Sequence, residues 1–181
     1  YWTGGDDGLR CLPQLKTIQR LEIQSEQVTG DGLTILNSLP ELSDLQLKWI
    51  KEFNPDCLVS LSNLANLTRL FIYYPVDEIA LSHLVGLNNI QRLSLRGVSD
   101  DGLRHIGQLP ALEYLELRDA PDLTGDGLCY LAASPNLNRL RISRAPSFTG
   151  EGIRHFRDHK ALRNISLSEI CVSDGAMEHL G

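Results

Sequence analysis

Apolar residues recur along the chain in a short repeated phrase. It reads "IQRLEI" at 18–23, "LSDLQL" at 42–47, "LTRLFI" at 67–72 and "IQRLSL" at 90–95. It continues as "LEYLEL" at 112–117, "LNRLRI" at 137–142 and "LRNISL" at 162–167. The central apolar residue falls at 21, 45, 70, 93, 115, 140 and 165, giving steps of 24, 25, 23, 22, 25 and 25 residues. Self-similarity at such a period marks a repeat architecture. The last three residues of each phrase alternate apolar, polar, apolar, the period of a strand buried on one side only. A variable stretch follows, then a second apolar block such as Leu33, Leu36, Leu39 and Leu42, or Leu103, Ile106, Leu109 and Leu112. That block predicts a helix. One strand and one helix cannot bury their own apolar faces, but stacked units share a core.

Each helix is predicted to start in an acidic turn: "VTGDGL", "FNPDCL", "VDEIAL", "VSDDGL", "LTGDGL", "FTGEGI" and "VSDGAM". An aspartate bracketed by glycines suggests a calcium or phosphate loop. Comparison of the copies favours helix capping instead. Thr29, Asn54, Asp77, Ser99, Thr124, Thr149 and Ser173 carry side chains that accept hydrogen bonds from open amides at a helix N-terminus. An acidic residue usually follows within two positions, where it meets the positive end of the helix dipole. Pro55 directly after Asn54 suits a first helical turn. Calcium needs several oxygen ligands at alternating positions, and a phosphate cradle needs a lysine and a longer glycine loop. The turns offer one or two carboxylates, and "VDEIAL" has neither glycine. Their predicted role is structural.

The LxxLxL strands joined to T-G-D-G-L helix starts resemble leucine-rich repeats over essentially the whole chain. "LPALEYLELRDAPDLTGDGLCYLAASPNLNRLRI" is similar to the cysteine-containing class found in F-box substrate receptors, which reads C-P-x-L-x-x-L-x-L-x-x-C before an I-T-D-x-G-L helix start. Here Ser134 stands at the first cysteine, and Ala120 or Ala145 at the second. Bacterial repeats with a G-L-x-H-L helix are equally similar to "DGLRHI" at 101–106. The resemblance implies an α/β solenoid, a horseshoe of seven strand repeats with parallel strands on the concave face and helices on the convex face. Residues 1–181 are expected to form a single domain. Both ends, "GGDDGLRCL" and "VSDGAMEHLG", fall within repeat units and lack a polar capping unit, so a longer array is expected.

Composition narrows the chemistry. With 181 residues, 42% hydrophobic and 22% charged, the chain has the size and balance of one globular domain. A net charge of −6 argues against a bulk nucleic-acid binder, although local patches are a separate matter. Cys11, Cys57, Cys129 and Cys171 are scattered without a CxxC pair, so neither a zinc cluster nor a disulfide framework is predicted. Unpaired thiols suit a reducing compartment, which points to an intracellular, cytoplasmic setting. No apolar run reaches membrane-spanning length, and no segment reads as a signal peptide. His83, His105, His155 and His179 share one repeat position, and helices stacked about 10 Å apart cannot bring them onto one metal. Their predicted role is packing; His159 lies in another column with no evident partner. No nucleophile elbow or paired-carboxylate signature is present, so no catalytic residue, metal or cofactor is predicted.

The outward strand positions are the least constrained by the core. In the first two strands they are mixed: Arg20, Glu22, Gln24, Asp44, Gln46 and Lys48. The middle strands gather Arg69, Phe71, Tyr73, Arg92, Arg96, Tyr114, Arg118, Arg139 and Arg141, with Tyr74 and Arg144 at the rim. Glu116 opposes them, with Asp119 nearby, and the last strand turns to Asn164, Ser166 and Ser168. Arginine with tyrosine is the composition of protein-binding hot spots, and guanidinium forks suit carboxylates and phosphates. The bland alternative is a solvated sheet face. The favoured function is a non-catalytic interaction module that binds a protein or peptide, acidic or phosphorylated, on its concave face. The F-box resemblance implies a substrate-recognition subunit of a ubiquitin ligase. Two alternatives stay open: a ligand-binding segment of an immune or surface receptor, and an RNA-binding solenoid. The latter would use Arg69, Phe71, Tyr73 and Arg92 for phosphate contact and base stacking, and the chain's acidity counts against it. Sequons at Asn66 and Asn164 would matter in a secreted protein.

Overall fold

The computed structural model describes residues 4–50 and 55–170, with the side chains of residues 55 and 56 excepted. Seven strands form one parallel sheet in chain order: β1 (Arg20–Gln24), β2 (Asp44–Lys48), β3 (Arg69–Pro75), β4 (Arg92–Arg96), β5 (Tyr114–Arg118), β6 (Arg139–Ala145) and β7 (Asn164–Ile170). Each strand contains the end of one repeated phrase, and the repeat equivalents pair: Leu21 with Leu45, Leu70 with Leu93, Leu115 with Leu140. A one-residue slip would move every leucine to the solvated face, so alternation locks the register. The inward leucines and isoleucines join the convex side in one continuous core. Ala120 and Ala145 are fully buried in it.

As expected, short helical segments stand on the convex side between successive strands, α-helical in some units and 3₁₀ in others. Short α-helices occur at α1 (Asp6–Leu9), α2 (Glu78–Ser82), α3 (Asp100–Ile106) and α4 (Leu128–Leu131). The segments Asp31–Ser38, Pro55–Asn63 and Glu151–Phe156 are 3₁₀ helices. The apolar spacing is compatible with that geometry without selecting it, since Leu103, Ile106 and Leu109 are spaced alike at the α-helix α3. Leu33, Leu36, Leu39 and Leu42 follow at intervals of three, as do Leu58, Leu61, Leu64 and Leu67. Three residues per turn is the 3₁₀ period, which sets i and i+3 on one line facing the core. Consecutive amides accordingly bond three residues back: Leu39 to Leu36, Leu42 to Leu39, Leu64 to Leu61 and Leu67 to Leu64.

Ser134 and His159 occupy the column that holds Leu39, Leu64, Leu87 and Leu109. The Ser134 hydroxyl is buried with no partner. His159 is not partnerless: its Nδ1 accepts from the Leu162 amide at 3.1 Å, and its ring meets the Phe156 ring edge-on. His83, His105 and His155 are half-buried, and His105 Nε2 lies 3.4 Å from Glu78 Oε1. Cys11 and Cys129 are free thiols, and Cys57 is buried. Asn54, Cys171, Ser173 and His179 lie outside the described residues. The Asn66 amide donates to the Pro40 carbonyl at 2.8 Å, and Asn89 and Asn136 make the same bond to Ala65 and Pro110. The first sequon's asparagine is thus a link between repeats.

The acidic turns also work between repeats more than within them. Asp77 caps its own helix, accepting from the Ala80 amide at 2.8 Å, while Ser99 reaches Gly102 only at 3.4 Å. Thr29 and Thr124 are held from the preceding unit. Asp6 accepts from the Thr29 amide at 2.9 Å and its hydroxyl at 2.7 Å. Asp100 accepts four bonds: the Thr124 amide (2.9 Å) and hydroxyl (2.7 Å), and the amides of Gly125 (3.1 Å) and Gly127 (2.8 Å). Burial alone would raise the Asp100 pKa, but the bonds from Thr124, Gly127 and Gly125 outweigh it and lower it. The bracketing glycines allow this close stacking. A Cβ on Gly127 would lie 2.5 Å from the Asp100 carbonyl oxygen, and one on Gly152 would collide with that of Gly125.

Candidate protein-binding face

Strand alternation and aligned register place the outward side chains in rows across the sheet. The first row runs Arg20, Asp44, Arg69, Arg92, Tyr114, Arg139 and Asn164. The second runs Glu22, Gln46, Phe71, Ser94, Glu116, Arg141 and Ser166. In the third, Gln24 pairs with Lys48, and Arg96 with Arg118, Ser143 and Ser168 in turn. A bulge between Phe71 and Pro75 takes Tyr73 out of that row, so that Pro75 rather than Tyr73 stands opposite Arg96. Arg96 instead donates to the Tyr73 carbonyl at 3.1 Å. Lys48 Nζ sits 4.9 Å from the centre of the Tyr73 ring and 2.5 Å from Glu22 Oε1.

The outward positions of β3–β6 carry six arginines (Arg69, Arg92, Arg96, Arg118, Arg139, Arg141) against one carboxylate, Glu116. In a chain of net charge −6 this is a concentrated reversal of sign. The strip is not a bare cationic surface, however. Three carboxylates each hold two arginines, so Asp44 and Asp119 oppose the strip as well as Glu116. Asp44 is buried and lies 3.0 Å from Arg20 and 3.4 Å from Arg69. Glu116, only 4% exposed, lies 2.7 Å from Arg118 and 3.5 Å from Arg141, and accepts from the Ser94 hydroxyl at 2.9 Å. Asp119 pairs with Arg96 at 2.7 Å and with Arg144, which also reaches toward Glu169 at 3.8 Å.

These clusters set the protonation states. The Arg144 hydrogen bond, aided by the Arg96 charge, holds the Asp119 carboxyl below its ordinary range despite some desolvation. The Glu116 bond raises the Arg118 pKa, so that guanidinium stays charged. Burial and then the Glu116 charge push the Tyr114 phenol up, with Arg141, Arg118 and Arg139 pulling the other way. The Tyr114 phenol therefore stays a neutral hydroxyl on this face.

Two arginines differ from the rest. Arg92 and Arg139 are exposed and make no ion pair among the described residues. They flank Tyr114 in the first row. All nine sequence-predicted residues thus lie on β3–β6, but only this pair is electrostatically uncommitted. Sequence reasoning missed Trp49, which follows β2, is 59% exposed and adopts φ 52°. Gly97 (φ 70°), Asp119 (φ 46°), Arg144 (φ 52°) and Glu169 (φ 54°) share its repeat position. The chain turns out of each of these strands through a left-handed residue, which strains every side chain except glycine. A periodic glycine would have signalled that turn, and only Gly97 supplies one.

Solved leucine-rich-repeat structures share this architecture. Internalin C2 from Listeria monocytogenes superposes with a TM-score of 0.65 at 22% identity, over 86% of this chain and 64% of its own. The chain folds as a leucine-rich-repeat solenoid. TLR13, in its complex with ssRNA13, matches with a TM-score of 0.62 at 19% identity, over 98% of this chain and 26% of its own. Internalin inlF from Listeria monocytogenes matches with a TM-score of 0.51 at 17% identity, over 93% and 63%. At these identities the shared property is the fold. No family model and no curated protein matches the sequence. The leucine-rich-repeat chain spans less than two thirds of the length of internalin C2.

Among the described residues, no group of three or more His, Cys, Asp or Glu side chains could hold a metal ion. No described helix is long and apolar enough to cross a membrane. What the solenoid presents is a set of pre-oriented donors. Arginines fixed by buried carboxylates lose little freedom when they meet a ligand, which reduces the entropic cost of binding.

Proposed function

We propose that this leucine-rich-repeat solenoid is a non-catalytic protein-interaction module acting as one domain over residues 1–181. Its concave face takes an acidic segment of a partner protein, carboxylate-rich or phosphorylated, with Arg69, Phe71, Tyr73, Arg92, Arg96, Tyr114, Arg118, Arg139 and Arg141 as the contact residues. The observation that carries this reading is the six-to-one excess of arginine over carboxylate at the outward positions of β3–β6 in an acidic chain. Complementary charge steers encounter and selects the partner, while aromatic residues between the charges supply contact area. Trp49 at the end of β2 adds an exposed aromatic anchor beside the strip. In the setting that the F-box resemblance implies, the partner would be a substrate presented to a ubiquitin ligase. The free thiols Cys11 and Cys129 suit the reducing interior of a cell.

Single-stranded RNA is the second reading, favoured by the similarity to the TLR13 structure and by Phe71 and Tyr73 beside the arginines. The decisive comparison titrates the protein with poly-glutamate and with an oligouridylate of equal charge across a range of salt. The protein-binding reading expects the acidic peptide to win. Tighter RNA binding with a steep salt slope would reverse the assignment.

A further inference from the structure

The two unpaired arginines spring from backbone positions of fixed spacing. Arg92 on β4 and Arg139 on β6 stand in one row with Tyr114 of β5 between them. Adjacent strands lie about 4.8 Å apart, so the two arginines are separated by about 10 Å across the sheet. The remaining arginines of β3–β6 are partly neutralised by Asp44, Glu116 and Asp119.

We infer that Arg92 and Arg139 form a two-point clamp for a segment in polyproline II conformation that carries two acidic groups three residues apart. The inference rests on the protein-binding reading and narrows it to one class of ligand. Charge complementarity assigns an acid to each free guanidinium. The backbone separation matches one turn of a polyproline II helix. A polyproline II helix has three residues per turn and rises about 3.1 Å per residue, so side chains at i and i+3 point the same way about 9 Å apart. A β-extended peptide puts i and i+2 on one face at about 7 Å, too short, and turns i+3 to the opposite face. Between the two acids, the ring of Tyr114 offers the flat surface on which proline-rich helices dock. Tyr114 is half-buried and flanked by the clamp, with its phenol kept neutral.

The shared chemistry is a pair of anionic oxygen groups, which glutamates or phosphoserines can supply. The test uses fluorescent proline-rich peptides with two glutamates, or two phosphoserines, placed adjacent, three apart or four apart, read by anisotropy against the folded chain. The three-apart arrangement is expected to bind at least ten-fold more tightly than either other spacing in one or both series. Arg92→Glu and Arg139→Glu are each expected to lose at least ten-fold, and Tyr114→Ala several-fold. Arg157→Glu, the same charge change at an exposed position on the convex side, should leave binding unchanged. Both strand variants should unfold at the wild-type midpoint, because neither arginine has an ion pair to lose. Binding that ignores spacing yet disappears in Arg92→Glu overturns the clamp and leaves the acidic-face reading standing. Binding that survives both reversals overturns the two together, as does displacement of every peptide by an oligouridylate.

Discussion

Replacing Asp100 by alanine should cut deeper into stability than the same change at any other described carboxylate of the acidic turns. Its carboxylate accepts four bonds from the next repeat, two from Thr124 and one each from the amides of Gly125 and Gly127. Thr124 is exposed, so water replaces its lost bonds at small cost. Gly125 and Gly127 are buried, and each amide left without an acceptor costs about 1–3 kcal/mol. The expected loss is therefore about 2–6 kcal/mol, or on the order of 10 °C in midpoint for a chain of this size. Asp100→Asn keeps one acceptor oxygen and should fall between. Urea unfolding gives the magnitude, and amide exchange places it: Gly125, Gly127 and the start of α4 should open first. Asp101→Ala, an exposed neighbour, serves as the control. The sign with pH follows from linkage. The folded-state pKa of Asp100 is depressed, so its contribution is full above the unfolded value of about 4 and is lost as pH falls through the folded value. The gap between wild type and Asp100→Ala should narrow in acid. A loss under about 0.5 kcal/mol, equal to that of Asp101→Ala, would refute the reasoning, since it lies within the range of ordinary surface changes.

Three further outcomes follow from the same structure. Ser134→Ala should raise stability by about 1 kcal/mol in urea, because its hydroxyl is 1% exposed and unpartnered; destabilisation would mean that the hydroxyl has a partner, water included. Gly152→Ala should cost about 2–3 kcal/mol by collision with the Gly125 carbonyl, whereas Gly86→Ala, whose Cβ would come no closer than 4.0 Å to Ser62, should be near neutral. Equal effects would remove close repeat stacking as the reason for the turn glycines. Glu116→Gln should lower stability by about 1–2 kcal/mol as Arg118 and Arg141 lose their charged partner, yet tighten acidic-peptide binding. Weaker peptide binding would show that Glu116 positions the arginines rather than competing for them.

The strands and their register were legible because two constraints coincide: alternation decides which side of each strand is buried, and the repeat length decides which residues pair. Leu45 opposite Leu70 follows from arithmetic along the chain. Convex-side helices were legible from the spacing of three at Leu33, Leu36 and Leu39, but their kind was not, since Leu103, Ile106 and Leu109 repeat that spacing at an α-helix. The face residues were legible for the same reason as the strands, but their pairing was not. Asp44 neutralises Arg20 and Arg69 only because the aligned register brings all three together. Helix capping predicted a local partner for each turn's oxygen, and Asp100 shows a neighbouring repeat taking that role. Trp49 had no local signal, since a left-handed tryptophan obeys no propensity and exists only because the solenoid's turn requires that conformation.

The central claim is that the concave arginine face captures an acidic segment. It is tested most directly by titrating wild type and the Arg92→Glu/Arg139→Glu double variant with the glutamate-pair peptide of matched spacing at physiological salt. The account predicts a saturable isotherm for wild type and a loss of at least a hundred-fold for the double variant, with the unfolding midpoint unchanged. Equal isotherms for the two proteins would contradict it.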